Sequence, residues 1–101
     1  SIQSGVRPCV VVSNNKNNKY SNTLSVCPCT SRVPKKKFIT HILVTPKDVK
    51  GYFEEESLLL VEQITVVAKK KIISKVGHIP KTSEVMKKVN DAIIKQLGVD
   101  M

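Results

Sequence analysis

No apolar run in this 101-residue chain approaches the ~18 residues that a membrane-crossing helix needs. No charged-then-apolar segment has the form of a signal peptide, and the expected location is cytoplasmic. Cysteine is scarce and odd in number: Cys9, Cys27 and Cys29 cannot make a disulfide framework. Cys27 and Cys29 begin a metal-type spacing, but no second ligand pair completes it. The three are expected to be buried or half-buried free thiols. A Gly-rich phosphate loop is missing, as is any His/Cys/Asp triad in a recognisable context. Acidic residues number only eight and show no metal-ligand spacing. Divalent-metal catalysis is therefore not expected, and no cofactor is implied.

What is present is positive charge, unevenly placed. Residues 1–50 hold nine Lys and Arg against Asp48 alone, a net +8, whereas residues 51–101 hold eight lysines against seven acids, a net +1. A one-sided basic field favours a polyanion, most simply a nucleic acid, because released counterions drive phosphate binding. The alternative is a lysine-rich solubilising surface.

Composition, at 41% hydrophobic and 25% charged, is that of one small globular domain. Cys9–Ser13 (CVVVS) reads as a buried strand. Asn14–Asn22 (NNKNNKYSN) reads as a turn, because asparagine bonds its own backbone and tolerates left-handed conformations. Thr23–Thr30 (TLSVCPCT) resumes a strand in which Pro28, lacking an N–H, marks an edge or bulge. The Ser31–Lys37 segment is a basic loop, and Phe38–Val44 (FITHILV) is a third strand. Thr45–Gly51 is a connection, and Glu54–Glu56 is a solvated acidic run. Ser57–Val67 splits into two strand-like pieces at Glu62 and Gln63, and Ala68–Gly77 is basic with a short helical turn. Beyond it, Val85, Met86, Val89, Ala92, Ile93 and Leu97 recur at steps of three and four, marking one face of a helix. Thr82 or Ser83 caps its start, Glu84 suits the first turn and Gly98 ends it. The sequence thus predicts a mainly β domain of α+β type with a C-terminal helix.

His41, within the third strand, reads as a structural histidine, and His78 in a turn has no assignable role. Two strand-edge clusters remain: Gly5-Val6-Arg7-Pro8 before the first strand and Cys29-Thr30-Ser31-Arg32 after the second. If these strands are antiparallel neighbours, the start of one lies beside the end of the other. Arg7 then falls close to Thr30 and Ser31, a guanidinium fork and two hydroxyls suited to a phosphate. The competing reading pairs Arg7 with Glu62 or with a backbone carbonyl.

The stretches GVRPCVVVSN, NKYSNT, CPCTSR, the Thr40-His41 pair and LLLVEQI, in this order, closely resemble the MazF/PemK toxin endoribonucleases. The resemblance runs from Ser1 to Leu97–Val99. It implies a single domain over residues 1–101, an SH3-like (CcdB-like) small barrel with a C-terminal helix that forms a homodimer. It implies sequence-specific, metal-independent cleavage of single-stranded RNA such as mRNA, and inhibition by a cognate antitoxin. The arginine of the family's G-x-R-P motif and the threonine ending the next strand carry catalysis, and here they match Arg7 and Thr30. Positions matching family RNA contacts are Ser1, Gln3, Phe38, Glu62 and Gln63. Phe38 either stacks on a base or packs in the core; Gln3 or Gln63 reads base edges. Ser31 and Arg32 lie beside the phosphate site, and Lys35, Lys36 and Lys37 track the backbone or form a solvated face.

Two departures from the family pattern are visible. Ile2 stands where many members have glutamate. Family members also carry about twenty residues ahead of the segment that Ser1 opens, comprising a first strand and the start of a loop; relative to them the domain is expected to be N-terminally short. The leading expectation is a toxin endoribonuclease (an mRNA interferase). The alternatives are a module that binds RNA or antitoxin without cutting and, further off, a CcdB-like gyrase inhibitor, against which the retained Arg7 and Thr30 argue.

Overall fold

A computed structural model describes residues 6–32 and 38–98. Its frame is one long strand. β1 (Cys9–Val11), β2 (Thr23–Thr30), β3 (His41–Val44), β4 (Lys50–Gly51), β5 (Ser57–Leu60), β6 (Thr65–Ala68) and β7 (Gly77–His78) are joined by two α-helices, α1 (Asn15–Tyr20) and α2 (Glu84–Leu97), and three 3₁₀ turns. β2 pairs antiparallel with β1 along one edge, while its other edge serves β6 through Thr23–Val26 and β5 through Cys29–Thr30. β3 then pairs antiparallel with β5, and β4 and β7 form a separate two-stranded ladder.

Pro28 explains where β2 changes partner. Cys29 N–H donates to Pro8 O at 3.0 Å and Val12 N–H to Ser25 O at 2.9 Å, so on the β1 side every second residue of β2 is hydrogen-bonded. Pro28, opposite Cys9, is not one of these, and its ring nitrogen faces the far edge. There it falls between Val26, the last residue paired to β6, and Cys29, the first paired to β5. A residue without an N–H sits where the ladder needs none.

Alternation along the strands sets two faces. Cys27, Cys29, Ile42, Val44, Leu59 and Val61 point to one and form a buried core with Val85, Val89 and Ala92 of α2. That helix spans the expected segment: Ser83 caps it by accepting from Met86 N–H at 3.2 Å, and Gly98 ends it in the left-handed region at φ 67°. Leu97 departs from the expected apolar stripe and is exposed.

Four local expectations are corrected. The asparagine-rich turn is the short helix α1, capped by the Asn14 side chain accepting from Asn17 N–H at 2.8 Å. Asparagine supplies the cap that turns a loop into a helix. The first strand stops at Val11, two residues early, and the third starts only at His41, because Phe38–Thr40 forms a turn closed by His41 N–H to Phe38 O at 3.0 Å. Cys27 and Cys29 are buried free thiols as read, but Cys9, on the opposite face of the sheet, is exposed.

Burial separates Leu59, fully inaccessible in the core, from Leu43, half-exposed on the adjacent strand. Leu59→Ala should cost about 2–5 kcal/mol, whereas Leu43→Ala should stay below about 1 kcal/mol; urea titration of both variants checks the contrast.

Candidate functional site

The face of the sheet opposite α2 carries the residues with chemistry. Cys9 faces Pro28, and the register continued by two residues sets Arg7 opposite Thr30, just ahead of β1. The bond from Cys29 N–H to Pro8 O fixes the intervening step. Arg7 and Thr30 thus occupy a non-hydrogen-bonded antiparallel position, where side chains on one face come closest. The proximity read from the sequence is present, and its alternative is not: Arg7 is exposed and joins no ion pair or hydrogen bond among the described residues.

Thr30 ends β2 in a half-buried position and pairs with Leu58 of β5. Its Oγ1 accepts the Arg32 N–H at 3.2 Å. A hydroxyl that accepts on its oxygen keeps its own proton to donate. Ser31 and Arg32 follow at the bend, both exposed. This corner offers a free guanidinium fork and an oriented O–H, a set able to bind a phosphate and neutralise charge developing on it.

On the same face, two strands across, lies a second group. Thr40 O accepts Val61 N–H at 3.0 Å, extending the β3–β5 ladder to the 3₁₀ turn Val61–Gln63. This brings Glu62 back over the start of β3. Thr40 Oγ1 donates to Glu62 Oε1 at 2.9 Å, and His41 Nε2 lies 3.2 Å from Glu62 Oε2. The His41 side chain is only 8% exposed, and its Nδ1 is buried with no partner among the described residues. An orphan N–H there would cost about 1–3 kcal/mol, so the neutral ring carries its proton on Nε2 and donates it to Glu62. Phe38 is half-exposed rather than part of the core, with its ring edge-to-face against His41 at 5.0 Å and 76°. Gln63 is exposed beside them.

Glu62 is therefore engaged by Thr40 and His41 and forms no ion pair with Arg7 among the described residues. Desolvation pushes its carboxyl up, but hydrogen bonds from backbone, Thr40 and His41, joined by the His41 charge when that ring is protonated, outweigh this and hold it below its ordinary value of 4.5. Burial works unopposed on the thiols, pushing Cys27 up to about 11 and Cys29 to about 12, so both are poor nucleophiles.

Of the residues singled out in the sequence, Ser1, Gln3, Lys35, Lys36 and Lys37 lie outside the described residues. Arg7, Thr30, Ser31 and Arg32 form one group and Phe38, Glu62 and Gln63 another. The sequence reading missed the part of Thr40 and His41 in the second group. The only signal for it is the register that sets His41 opposite Leu60, and no spacing along the chain encodes that register.

A carboxyl whose folded value is depressed contributes stability that is present above its ordinary value and lost as pH falls through the lowered one. Wild type should therefore exceed Glu62→Gln in stability at pH 6. Below about pH 4 the gap should close, which urea midpoints across the acid range will read.

A model of the PemK-like, MazF-like toxins of type II toxin–antitoxin systems matches residues 1–97. Endoribonuclease EndoA of Bacillus subtilis (strain 168) is 37% identical over 94 residues, covering 92% of this chain and 77% of that protein. Among solved structures, the Mycobacterium tuberculosis toxin MazF-mt6 superposes with a TM-score of 0.77 at 16% identity, over 94% of this chain and 89% of the other. An endoribonuclease in complex with its cognate antitoxin from mycobacterial species superposes at 0.78 with 21% identity, over 100% and 89%. These likenesses give the mainly β fold with its C-terminal helix. The match over nearly the whole length, with the EndoA identity, establishes that the chain belongs to the PemK-like, MazF-like toxin family of type II toxin–antitoxin systems.

Proposed function

We propose that this chain is a sequence-specific, metal-independent endoribonuclease that cleaves single-stranded RNA, the toxin of a type II toxin–antitoxin pair, with Arg7 and Thr30 as its catalytic residues. Family membership and the likeness to EndoA support the activity. The observation that carries the residue assignment is an exposed, unpaired Arg7 in register with Thr30, whose oxygen already accepts a backbone N–H.

The ribose 2′-oxygen attacks its adjacent phosphorus, the bond from phosphorus to the 5′-oxygen breaks, and a 2′,3′-cyclic phosphate forms. One proton leaves the 2′-OH and one reaches the departing oxygen. Charge accumulates on the nonbridging oxygens. Arg7 binds them as a bidentate fork, and the Thr30 O–H donates a further bond. DNA, lacking the 2′-OH, binds without being cut.

Base selection falls to the second group. Phe38 offers a stacking face, Gln63 an amide, and Glu62 a carboxylate held ionised and oriented by Thr40 and His41. Ser1 and Gln3 belong to the same contact surface, and Lys35, Lys36 and Lys37 follow the phosphate backbone. The protein acts in the cytoplasm as a homodimer restrained by a cognate antitoxin. Support comes from toxins of like fold, solved with antitoxin from mycobacterial species and as MazE–MazF from Deinococcus radiodurans. Among the described residues no helix is long and apolar enough to cross a membrane.

Purified chain incubated with mixed single-stranded RNA in EDTA should give discrete cuts. Arg7→Ala should lower the rate at least ~100-fold with an unchanged circular dichroism spectrum. Undiminished cleavage by Arg7→Ala sinks the assignment, and a gel shift without cuts by wild type makes the protein a binding module.

A further inference from the structure

The structure brings together lysines that the sequence keeps apart. Lys16 and Lys19 sit on α1, and Lys69, Lys70 and Lys71 form the 3₁₀ turn after β6. Ala68 pairs with Thr23 and Lys69 N–H donates to Asn22 O at 2.9 Å, so the turn joins the chain where it leaves α1. All five lysines thus gather at the end of the sheet where β2 begins. Residues 1–47 and 63–83 contain no acid, and none of the five forms an ion pair among the described residues.

The end is built firmly. Ser13 Oγ donates to Asn18 Oδ1, Asn18 Nδ2 donates to Ser13 O at 2.9 Å, and Ser25 N–H donates to Ser13 Oγ at 3.2 Å, which pins α1 to both β1 and β2. Tyr20 closes α1, 73% exposed as a residue, with the Lys19 ammonium 5.2 Å from its ring centroid. Beside it runs a shallow depression lined by Asn14, Lys16, Asn17, Tyr20 and Ser21. Cations around an exposed aromatic ring next to a hollow make a stacking platform with an electrostatic surround.

We propose that this end of the sheet is a second contact for single-stranded RNA, remote from the cleaved bond. The five lysines hold phosphates of the flanking strand, and Tyr20 stacks on one of its bases. The inference rests on the endoribonuclease reading, since it assigns the surface to the substrate of that activity. β2 runs from this end at Thr23 to the Arg7–Thr30 corner, about 23 Å at ~3.3 Å per residue. A short oligonucleotide at the corner cannot reach it, whereas a longer strand can.

The test uses two RNAs with the same cleavage site, one of about 5 nucleotides and one of about 30. Each is made in a cleavable form and with a 2′-deoxy block for binding. The variants Lys16→Glu/Lys19→Glu, Lys69→Glu/Lys70→Glu/Lys71→Glu and Tyr20→Ala change exposed or half-exposed side chains, and melting curves check their folding. On the long RNA each double or triple charge reversal should raise KM at least ~10-fold at low salt. The slope of affinity against salt should flatten by ~0.7 for each phosphate that is no longer neutralised. Tyr20→Ala should weaken binding of the blocked long RNA several-fold. On the short RNA kcat and KM should stay within about twofold of wild type.

Equal losses on both RNAs, or none on the long one, overturn the inference while leaving the endoribonuclease standing. Undiminished RNA binding with lost affinity for polyglutamate assigns the surface to an acidic protein and also overturns it. A wild-type chain that binds the blocked long RNA through these lysines but cuts neither substrate removes the catalytic reading and leaves the binding surface.

Discussion

The antiparallel pairing of β2 with its neighbours is the constraint on which the rest of the molecule depends. One strand of eight residues serves β1 on one edge and both β6 and β5 on the other. Its hydrogen bonds fix where every other side chain faces. The same ladder that sends Cys27 and Cys29 under α2 turns Thr30 outward to meet Arg7. Stability and the candidate chemistry are therefore two faces of one register.

Two groups on the outward face differ in electrostatic character. At the corner, an arginine stands without a carboxylate partner among the described residues, in a segment that has no acid before Asp48. Two strands away, the carboxylate of Glu62 is held in place by Thr40 and His41. The corner therefore presents positive charge suited to a phosphate, while the second group presents an oriented carboxylate.

Much of this was legible in the chain, and the reasons for the rest are physical. β2 is predicted from Thr23 to Thr30 and found there, because a β-branched and cysteine-rich alternation bounded by asparagine and serine leaves few alternatives. α2 shows in its periodicity and caps, and the Arg7–Thr30 proximity follows once two neighbouring strands are taken as antiparallel. α1 was not legible, since asparagine favours turns and helix caps alike, and the Asn14 cap decided between them. The alliance of His41 with Glu62 spans 21 residues and needs the β3–β5 register. The gathering of Lys16 and Lys19 with Lys69–Lys71 likewise depends on the β2–β6 ladder, so the halfwise charge count, nearly balanced after residue 50, conceals it.

Pro28 has a wider consequence. Because it carries no N–H on the edge where β2 passes from β6 to β5, the ladder lacks one donor at the junction of the two stretches of sheet. The lysine-bearing end and the Arg7–Thr30 corner lie on opposite sides of this junction. β1 runs unbroken past this point, with Val11 opposite Val26, Cys9 opposite Pro28 and Cys29 N–H bonded to Pro8 O, so the two ends share one register. A single imino acid thus marks where one continuous strand exchanges the partner that supports its lysine-bearing end for the one that supports the Arg7–Thr30 corner.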